Sequence, residues 1–268
     1  MAVPATSAEG AAPILRLRGV GRRFGGLLAV SGVDLDVAPG ERRAILGPNG
    51  AGKTTLFNVI SGDLEASSGT VELFGRNVTT MPARKRTRLG LARTYQQSHM
   101  LQGLTVEDSI YLSILGVANG HLRPVTLPRK DREMRDRARE AARLAAIDHK
   151  LSEVVGNLSH GEHRQVAVAM ALASRPRILM LDEPASGLSR GERHLLSDLL
   201  LALGKDITLI LIEHDMDVAL RVAEQVTMMH DGRVIVEGTP EEIRANELVH
   251  DLYLGRHHYE EKPSERQN

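Results

Sequence analysis

The chain has 268 residues, of which 34 are lysine or arginine and 34 are aspartate or glutamate, so its formal net charge at pH 7 is zero. This balance gives no global electrostatic case for a nucleic-acid or anionic-membrane partner, and the lack of cysteine excludes disulfides and thiolate chemistry. A chain of this length can bury a core in one large α/β domain or in a domain with a subdomain.

We find no pattern of a secretory signal in the first residues and no apolar run of membrane-spanning length in the sequence. Residues 1–12 lack the charged start and apolar core of a secretory signal, and we expect a disordered tail there. The longest apolar runs, 178–181 and 207–212, have the length of buried strands rather than the about 18 residues of a membrane span. We expect no transmembrane span, and a second loose, polar tail over 256–268.

The first third of the chain is rich in strand-like runs separated by glycine turns. The predicted strands are Ile14–Leu17, Val33–Val37, Arg42–Leu46 and Thr70–Phe74. This pattern predicts a β-rich opening of the fold.

A glycine-rich loop lies between the predicted strand Arg42–Leu46 and a helix that begins near Thr54, and it fits the pattern G-x-x-x-x-G-K-[ST]. Glycines let the backbone amides approach phosphate oxygens, and the helix N-terminus adds a partial positive charge. Lys53 is expected to reach the β- and γ-phosphates, and the Thr54 hydroxyl to bind Mg²⁺. The predicted site for a nucleoside triphosphate consists of Gly47, Pro48, Asn49, Gly50, Ala51, Gly52, Lys53, Thr54 and Thr55.

The middle of the chain, from Thr105 to about Asp148, has a helical pattern. Thr105 and Asp108 have the spacing of a capping box, and residues 131–146 are charged and rich in alanine. We predict a helical subdomain here. The basic run 84–88 lies before it and could contact phosphates, but it lacks interleaved aromatic residues, and we do not assign it to nucleic acid.

Helices and strands alternate in the second half. The predicted elements are helix 164–173, strand 178–181, helix 192–203, strand 207–212, helix 216–223 and strands 226–229 and 234–236. Alternation with continuously apolar strands implies a parallel sheet covered by helices.

Two carboxylates, Asp182 and Glu183, follow the apolar strand 178–181. Ligands of a parallel sheet lie at the carboxyl ends of its strands, so both acids are expected beside the phosphate loop. Asp182 would hold Mg²⁺ through water, and Glu183 would polarise the water that attacks the γ-phosphate. Two solvated acids at a strand end are the alternative.

Two weaker motifs accompany these acids. In the segment 158–162, Ser159 and Gly161 open a helix and could offer a hydroxyl and amides to an anion, with an ordinary N-cap as the alternative. His214 follows the strand 207–212 and could donate to a γ-phosphate, although a lone histidine there is more often structural.

Taken in order, these motifs resemble those of the ATP-binding subunits of ABC transporters, from about residue 14 to residue 255. The matching segments are the phosphate loop, Gln96, Leu158-Ser159-His160-Gly161-Glu162, Leu181-Asp182-Glu183-Pro184 and His214. The resemblance implies an α/β P-loop ATPase cassette with a mostly parallel core sheet, an N-terminal antiparallel β subdomain and a helical subdomain. It assigns 13–92 and 165–255 to the core and β subdomain, and 93–164 to the helical subdomain with the signature loop.

The resemblance implies a role for one aromatic residue and one glutamine. Phe24 matches the aromatic residue on which adenine stacks through its ring face. Gln96 matches the glutamine that contacts Mg²⁺ or the attacking water and links the site to the membrane partner, with Gln97 as the alternative register.

Roles at the remaining motifs follow in the same way. The signature loop with Ser159, Gly161 and Glu162 contacts, in this family, the γ-phosphate of ATP held by the opposite subunit. The magnesium carboxylate, general base and switch histidine correspond to Asp182, Glu183 and His214. The resemblance therefore implies ATP and Mg²⁺ as cofactors and a head-to-tail dimer with an identical or related subunit.

The resemblance is strongest to branched-chain amino acid importers, in the segments 23–30, 212–216 and 253–255. It implies a peripheral ATPase on the cytoplasmic face of the membrane, with permease subunits and, indirectly, a periplasmic solute-binding protein as partners and no nucleic acid. Urea or short-amide importer ATPases and soluble non-transport ABC ATPases are the alternatives. His99, Met100 and Leu101 would form the permease groove or, alternatively, subdomain core.

The sequence departs from the common pattern of this family in two segments. His160 and Glu162 stand where glycine and glutamine are usual, and Ser189 stands where aspartate is usual. Neither change removes a phosphate ligand.

Overall fold

The computed structural model describes residues 12–94, 101–117 and 128–249. Its elements in chain order are β1 (Leu15–Phe24), β2 (Leu27–Val37), β3 (Arg42–Leu46), α1 (Lys53–Ser61), β4 (Ser68–Leu73), β5 (Arg76–Asn77), α2 (Ala83–Leu89), β6 (Leu91–Arg93), α3 (Val106–Val117), α4 (Pro128–Leu144), α5 (His160–Leu172), β7 (Ile178–Asp182), α6 (Arg190–Ala202), β8 (Thr208–Ile212), α7 (Met216–Val222), β9 (Gln225–His230), β10 (Arg233–Gly238) and α8 (Pro240–Arg244). Two short 3₁₀ turns, Asp148–Lys150 and Val155–Asn157, precede α5.

The strands form two sheets. The antiparallel sheet has the order β2-β1-β4-β5, and the larger sheet has the order β10-β9-β3-β8-β7-β6. All neighbours in the larger sheet are parallel except β10, which pairs antiparallel with β9 at the edge. The fold is therefore α/β with a mostly parallel core sheet and an antiparallel β subdomain, as predicted.

The parallel strands are buried on both faces, which explains their unbroken apolar sequences. Along β7, Leu179 and Leu181 face a core shared with helices α3 to α7, whereas Ile178 and Met180 face the second core. That second core lies between the larger sheet, α1 and the antiparallel sheet, with Phe57 of α1 fully buried in it. The two cores fix the carboxyl edges of β3, β7 and β8 between helices on one side and β strands on the other.

The central helices α3, α4 and α5 pack against one another. The predicted cap at Thr105 is present, since its Oγ1 accepts from the Asp108 amide at 3.1 Å just before α3 begins. The boundary of this subdomain at 93–164 stays a prediction.

Several element boundaries differ from the predicted ones. β1 and β2 are longer than predicted and meet in a turn at Gly25, whose φ is 57°. α5 begins at His160, directly after the Ser159 cap that the motif 158–162 predicted and four residues before the apolar pattern begins at residue 164. α6 begins at Arg190 rather than at residue 192, because its capping residue Ser189, rather than its first apolar residue, defines its start.

The basic run 84–88 lies within α2, and its central residue is structural. Arg86 is 1% exposed, and its guanidinium donates to five backbone carbonyl oxygens, of Val59, Ile60, Met81, Val78 and Thr79. Burial lowers the pKa of Arg86 to about 10. Because two of these acceptors lie in the last turn of α1, Arg86 neutralises the negative end of that helix.

The predicted tails fall almost entirely outside the described residues, since only residue 12 of the first is described. In the described ranges, no helix combines the length and apolarity needed to cross a membrane.

Candidate functional site

The loop 47–52 connects β3 to α1 and leaves the start of α1 without a side-chain cap. Gly52 is the N-cap residue, with φ 95°, and a Cβ added to it would lie 2.4 Å from the Ala29 carbonyl oxygen. The first turn of α1 also has no acidic residue. A helix start without a side-chain cap suits a phosphate group, which fits the predicted function of this loop.

Lys53 is buried at the first position of α1. Its Nζ donates to the carbonyl oxygens of Gly47, at 2.6 Å, and Pro48, at 3.1 Å. Burial lowers the pKa of Lys53, and the carboxylates of Glu183 and Asp182 partly oppose this change. The phosphate loop and the two acids thus lie within electrostatic range of one another. The Thr54 side chain is exposed in the next position.

Asp182, at the end of β7, is 4% exposed and paired with Arg93 at the end of β6. The Arg93 guanidinium donates to Asp182 Oδ2 at 2.8 Å and, through its other terminal nitrogen, to three oxygens at the end of α1. Those acceptors are Asn58 Oδ1, Ser61 Oγ and Asp63 Oδ2. Arg93 therefore connects the predicted magnesium carboxylate to the helix of the phosphate loop.

Glu183 is the first residue after β7 and has an unusual backbone conformation. Its φ is 46°, a left-handed value that costs energy in a residue other than glycine and is typical of functional sites. Its amide donates to the Ile212 carbonyl at the end of β8, at 3.0 Å. His214 Nδ1 lies 3.9 Å from Glu183 Oε2, so the structure brings the predicted general base and switch histidine together.

Glu213, directly before His214, is a buried carboxyl group that the sequence analysis did not identify. It is 0% exposed, and its Oε1 accepts from the Ala185 amide at 2.8 Å. Burial raises the pKa of Glu213 to about 7, and the Asp215 carboxylate adds to this effect, while the amides of Ala185, His214 and Asp215 oppose it. A glutamate directly after an apolar strand can be recognised in the sequence as a candidate site residue. Its hydrogen bond to the Ala185 amide becomes visible only in the fold.

The segment 158–162 forms an ordinary capping box at the start of α5. Ser159 Oγ accepts from the Glu162 amide at 3.3 Å, and Glu162 Oε2 accepts from the Ser159 amide at 2.8 Å. The Ser159 amide is also the main reason why the pKa of Glu162 is lowered. The structural alternative for this segment is thus present, and its contact with a phosphate stays a prediction.

Two of the three residues that depart from the family pattern, His160 and Ser189, lie near each other, where α5 and α6 begin. His160 Nε2 is 3.4 Å from the Ser186 carbonyl oxygen, and Ser189 Oγ accepts from the Glu192 amide at 3.4 Å as the N-cap of α6. A Cβ added to Gly161 would lie 2.5 Å from Glu192 Oε1, so the two helix starts are in contact. Aspartate caps helices as serine does, which explains why either residue suits position 189.

Phe24 lies at the end of β1 and is 42% exposed, with the Arg22 guanidinium 4.7 Å from its ring centroid. Its exposed ring remains compatible with stacking, which stays a prediction. Gln96, Gln97, His99 and Met100 lie outside the described residues. Leu101 is 62% exposed, so the core alternative is wrong for this residue.

Comparison with known proteins agrees with the geometry. A family model described as "ABC transporter" matches residues 30–186, and one described as "Branched-chain amino acid ATP-binding cassette transporter" matches residues 233–259. The chain is 35% identical, over 91% of its length and 98% of the relative's, to the high-affinity branched-chain amino acid transport ATP-binding protein LivG of Escherichia coli K12.

The structure is also similar to solved structures of ATP-binding cassettes. The ADP conformation of MJ1267, an ATP-binding cassette of an ABC transporter, has a TM-score of 0.80 and 29% identity, covering 91% of this chain and 100% of that one. A dimeric post-hydrolysis state of the cassette MJ0796 with ADP and Pi has a TM-score of 0.71 and 26% identity, covering 84% and 98% of the respective chains.

Proposed function

The chain belongs to the family of ABC transporter ATP-binding proteins, and from this premise we propose that it hydrolyses Mg-ATP to drive the import of branched-chain or related amino acids. The observation that carries the proposal is the meeting of Lys53, Asp182, Glu183 and His214 at the carboxyl ends of β3, β7 and β8. A cation, two carboxylates and an imidazole at this edge suit the hydrolysis of a phosphoanhydride.

Each of these side chains has a distinct part in the proposed reaction. Lys53 exchanges its hydrogen bonds to Gly47 and Pro48 for phosphate oxygens when ATP enters the loop. Glu183 accepts a proton from the water that attacks the γ-phosphate, and His214 donates to that phosphate. Mg²⁺, when bound, would be held by the Thr54 hydroxyl, Asp182 and Gln96 and would neutralise charge on the phosphates.

We also propose that the working unit is a head-to-tail dimer. Ser159 and Gly161 open α5, whereas the phosphate loop opens α1, and the family places the signature loop against the nucleotide of the opposite subunit. The similar cassette MJ0796 forms a dimer, which supports a dimeric working unit. Permease subunits, reached through the segment around Leu101, would convert closure of the dimer into movement of the solute.

The amino-acid class of the solute rests on the similarity to LivG and on the match of residues 233–259. In such systems the permease and the solute-binding protein choose the solute, so its identity is tested through those partners. Purification of the tagged chain from solubilised membranes of its source, with mass spectrometry of co-purifying proteins, should yield permease subunits. A urea-type binding protein, or ribosomal or DNA-repair partners, would favour the alternative functions.

Two substitutions in the full chain test the ATPase mechanism. Glu183→Gln should lower kcat by about 100-fold or more while ATP still binds, because the amide cannot accept the proton. Lys53→Ala should raise the Kd for ATP by about tenfold or more, since a buried charge-assisted hydrogen-bond donor is lost. Full turnover in the first variant, or unchanged affinity in the second, would remove that residue from its proposed role.

A further inference from the structure

The loop that carries Glu183 is attached to the end of β8 at two points. The Glu183 amide donates to the Ile212 carbonyl at 3.0 Å, and the Ala185 amide donates to Glu213 Oε1 at 2.8 Å. A third hydrogen bond, from the Ser186 amide to the Glu183 carbonyl, closes the turn itself. The two attachments lie on either side of Pro184, so the backbone that orients Glu183 is fixed from both ends.

The second attachment is made by a side chain that is costly to bury. Glu213 is fully buried, and its Oε2 has no hydrogen-bond partner within the described residues. A buried carboxyl group with an unsatisfied oxygen destabilises a fold, and a residue that persists in such a place calls for a functional explanation. The unusual φ of Glu183, 46°, also needs a surrounding structure that imposes it.

We propose that Glu213 is a positioning residue for hydrolysis: its Oε1 fixes the Ala185 amide and thereby holds the left-handed backbone at Glu183 that aims the general base. Glu213 is also the residue directly before His214. One buried residue therefore sets the relative positions of the Glu183 carboxylate and the His214 imidazole. The inference rests on the proposed ATPase function and extends it to a fully buried residue outside the set proposed to act on ATP.

Among the described residues, no cation pairs with Glu213. The charged group that acts on it is Asp215, the N-cap of α7, which has the same sign and is itself paired with Arg193 of α6. What the carboxyl group offers to the loop is therefore an acceptor at the right distance rather than a charge. The length of the side chain at position 213, and not its charge, should therefore decide whether a variant keeps its kcat.

Glutamine and aspartate separate these two properties at position 213. Glu213→Gln keeps the length and the acceptor but loses the charge, whereas Glu213→Asp keeps the charge and withdraws the acceptor by one methylene. We expect the glutamine variant of the full chain to retain kcat within about threefold, because a neutral amide still accepts the Ala185 hydrogen bond. The aspartate variant should lose about tenfold or more in kcat, since a small displacement of a catalytic group is costly.

The affinity for ATP should not differ between the two variants in the way that kcat does. Lys53 and the phosphate loop are untouched, so the Kd for a fluorescent ATP analogue should stay within about twofold of wild type in both variants. Thermal melting of each variant shows whether it is folded. If the aspartate variant does not fold, Glu213→Met, which keeps the length and removes the oxygen acceptor, takes its place in the comparison with glutamine.

The outcomes separate the inference from the function on which it rests. Equal kcat in the glutamine and aspartate variants, a more active aspartate variant, or a parallel loss of ATP binding would overturn the positioning role. Glu183→Gln is assayed beside them as the reference for lost chemistry. If wild type hydrolyses ATP no faster than that reference, the proposed function fails as well.

Discussion

Among single residues, we expect substitution of Arg93 to cause a large loss in the free energy of unfolding. Its side chain is 6% exposed and that of its partner Asp182 is 5% exposed, so neither charge is solvated by bulk water. Arg93→Gln would leave Asp182 buried without its cation, and such a loss costs about 3 kcal/mol or more in the free energy of unfolding. Urea denaturation followed by far-UV circular dichroism measures the change.

The control for Arg93 is an arginine in an exposed pair. Arg129 is 91% exposed and lies 3.3 Å from Glu133 one turn along α4, so Arg129→Gln should leave the urea midpoint almost unchanged. Equal effects of the two substitutions would show that Arg93 does not carry a buried ion pair in solution.

Arg93 and Glu213 are residues of this site that the sequence motifs did not predict. The placement of Lys53 near Asp182 and Glu183 could be predicted because these residues lie in contiguous motifs beside strands, whereas their roles stay proposals. Arg93 and Glu213 act through partners 89 and 28 residues away, and a local pattern carries no information about such contacts.

At the scale of elements, the start of α6 depends on a capping box at Ser189. Ser189→Ala removes the side-chain acceptor of the Glu192 amide and should lower the free energy of unfolding by about 1 kcal/mol. Ser189→Asp, the residue usual in the family, should preserve stability because aspartate is an equally good N-cap. The comparison uses the same urea unfolding measurement, and an aspartate variant as unstable as the alanine variant would contradict it.

The elements also differ in how far their sequences determine them. β7 and β8 were predictable because burial on both faces produces an unbroken apolar run. β6 has only three residues, Leu91–Arg93, and is a strand because it pairs with the edge of β7, which its own sequence cannot indicate. The start of α6 was missed by two residues because the polar capping turn precedes the apolar pattern, whereas the start of α5 was marked by its capping motif at Ser159.

At the scale of the whole molecule, the proposed machinery lies in two parts, the carboxyl edge of the core sheet and the start of helix α5. Lys53, Asp182, Glu183 and His214 belong to the carboxyl edge of the core sheet, whereas Ser159 begins α5, a helix that packs with α3 and α4. In the proposed dimer, a complete site takes the first set from one chain and Ser159 from the other. This division predicts that some pairs of inactive variants complement each other.

Lys53→Ala and Ser159→Asp are a suitable pair. The first disables the phosphate loop, and the second keeps an N-cap for α5 but places a negative charge opposite the γ-phosphate. Each variant alone should be inactive. A mixed dimer contains one site with both defects and one intact site, so an equimolar mixture should recover up to about a quarter of wild-type hydrolysis, from the statistics of a two-fold dimer.

Lys53→Ala mixed with Glu183→Gln is the matched control, because both residues belong to the same half of a site and every dimer then lacks an intact one. Recovery with Ser159→Asp but not with Glu183→Gln therefore requires that the chain works head to tail with a second copy. Recovery in neither mixture would contradict the expectation that one intact site, assembled from two copies of this chain, hydrolyses ATP.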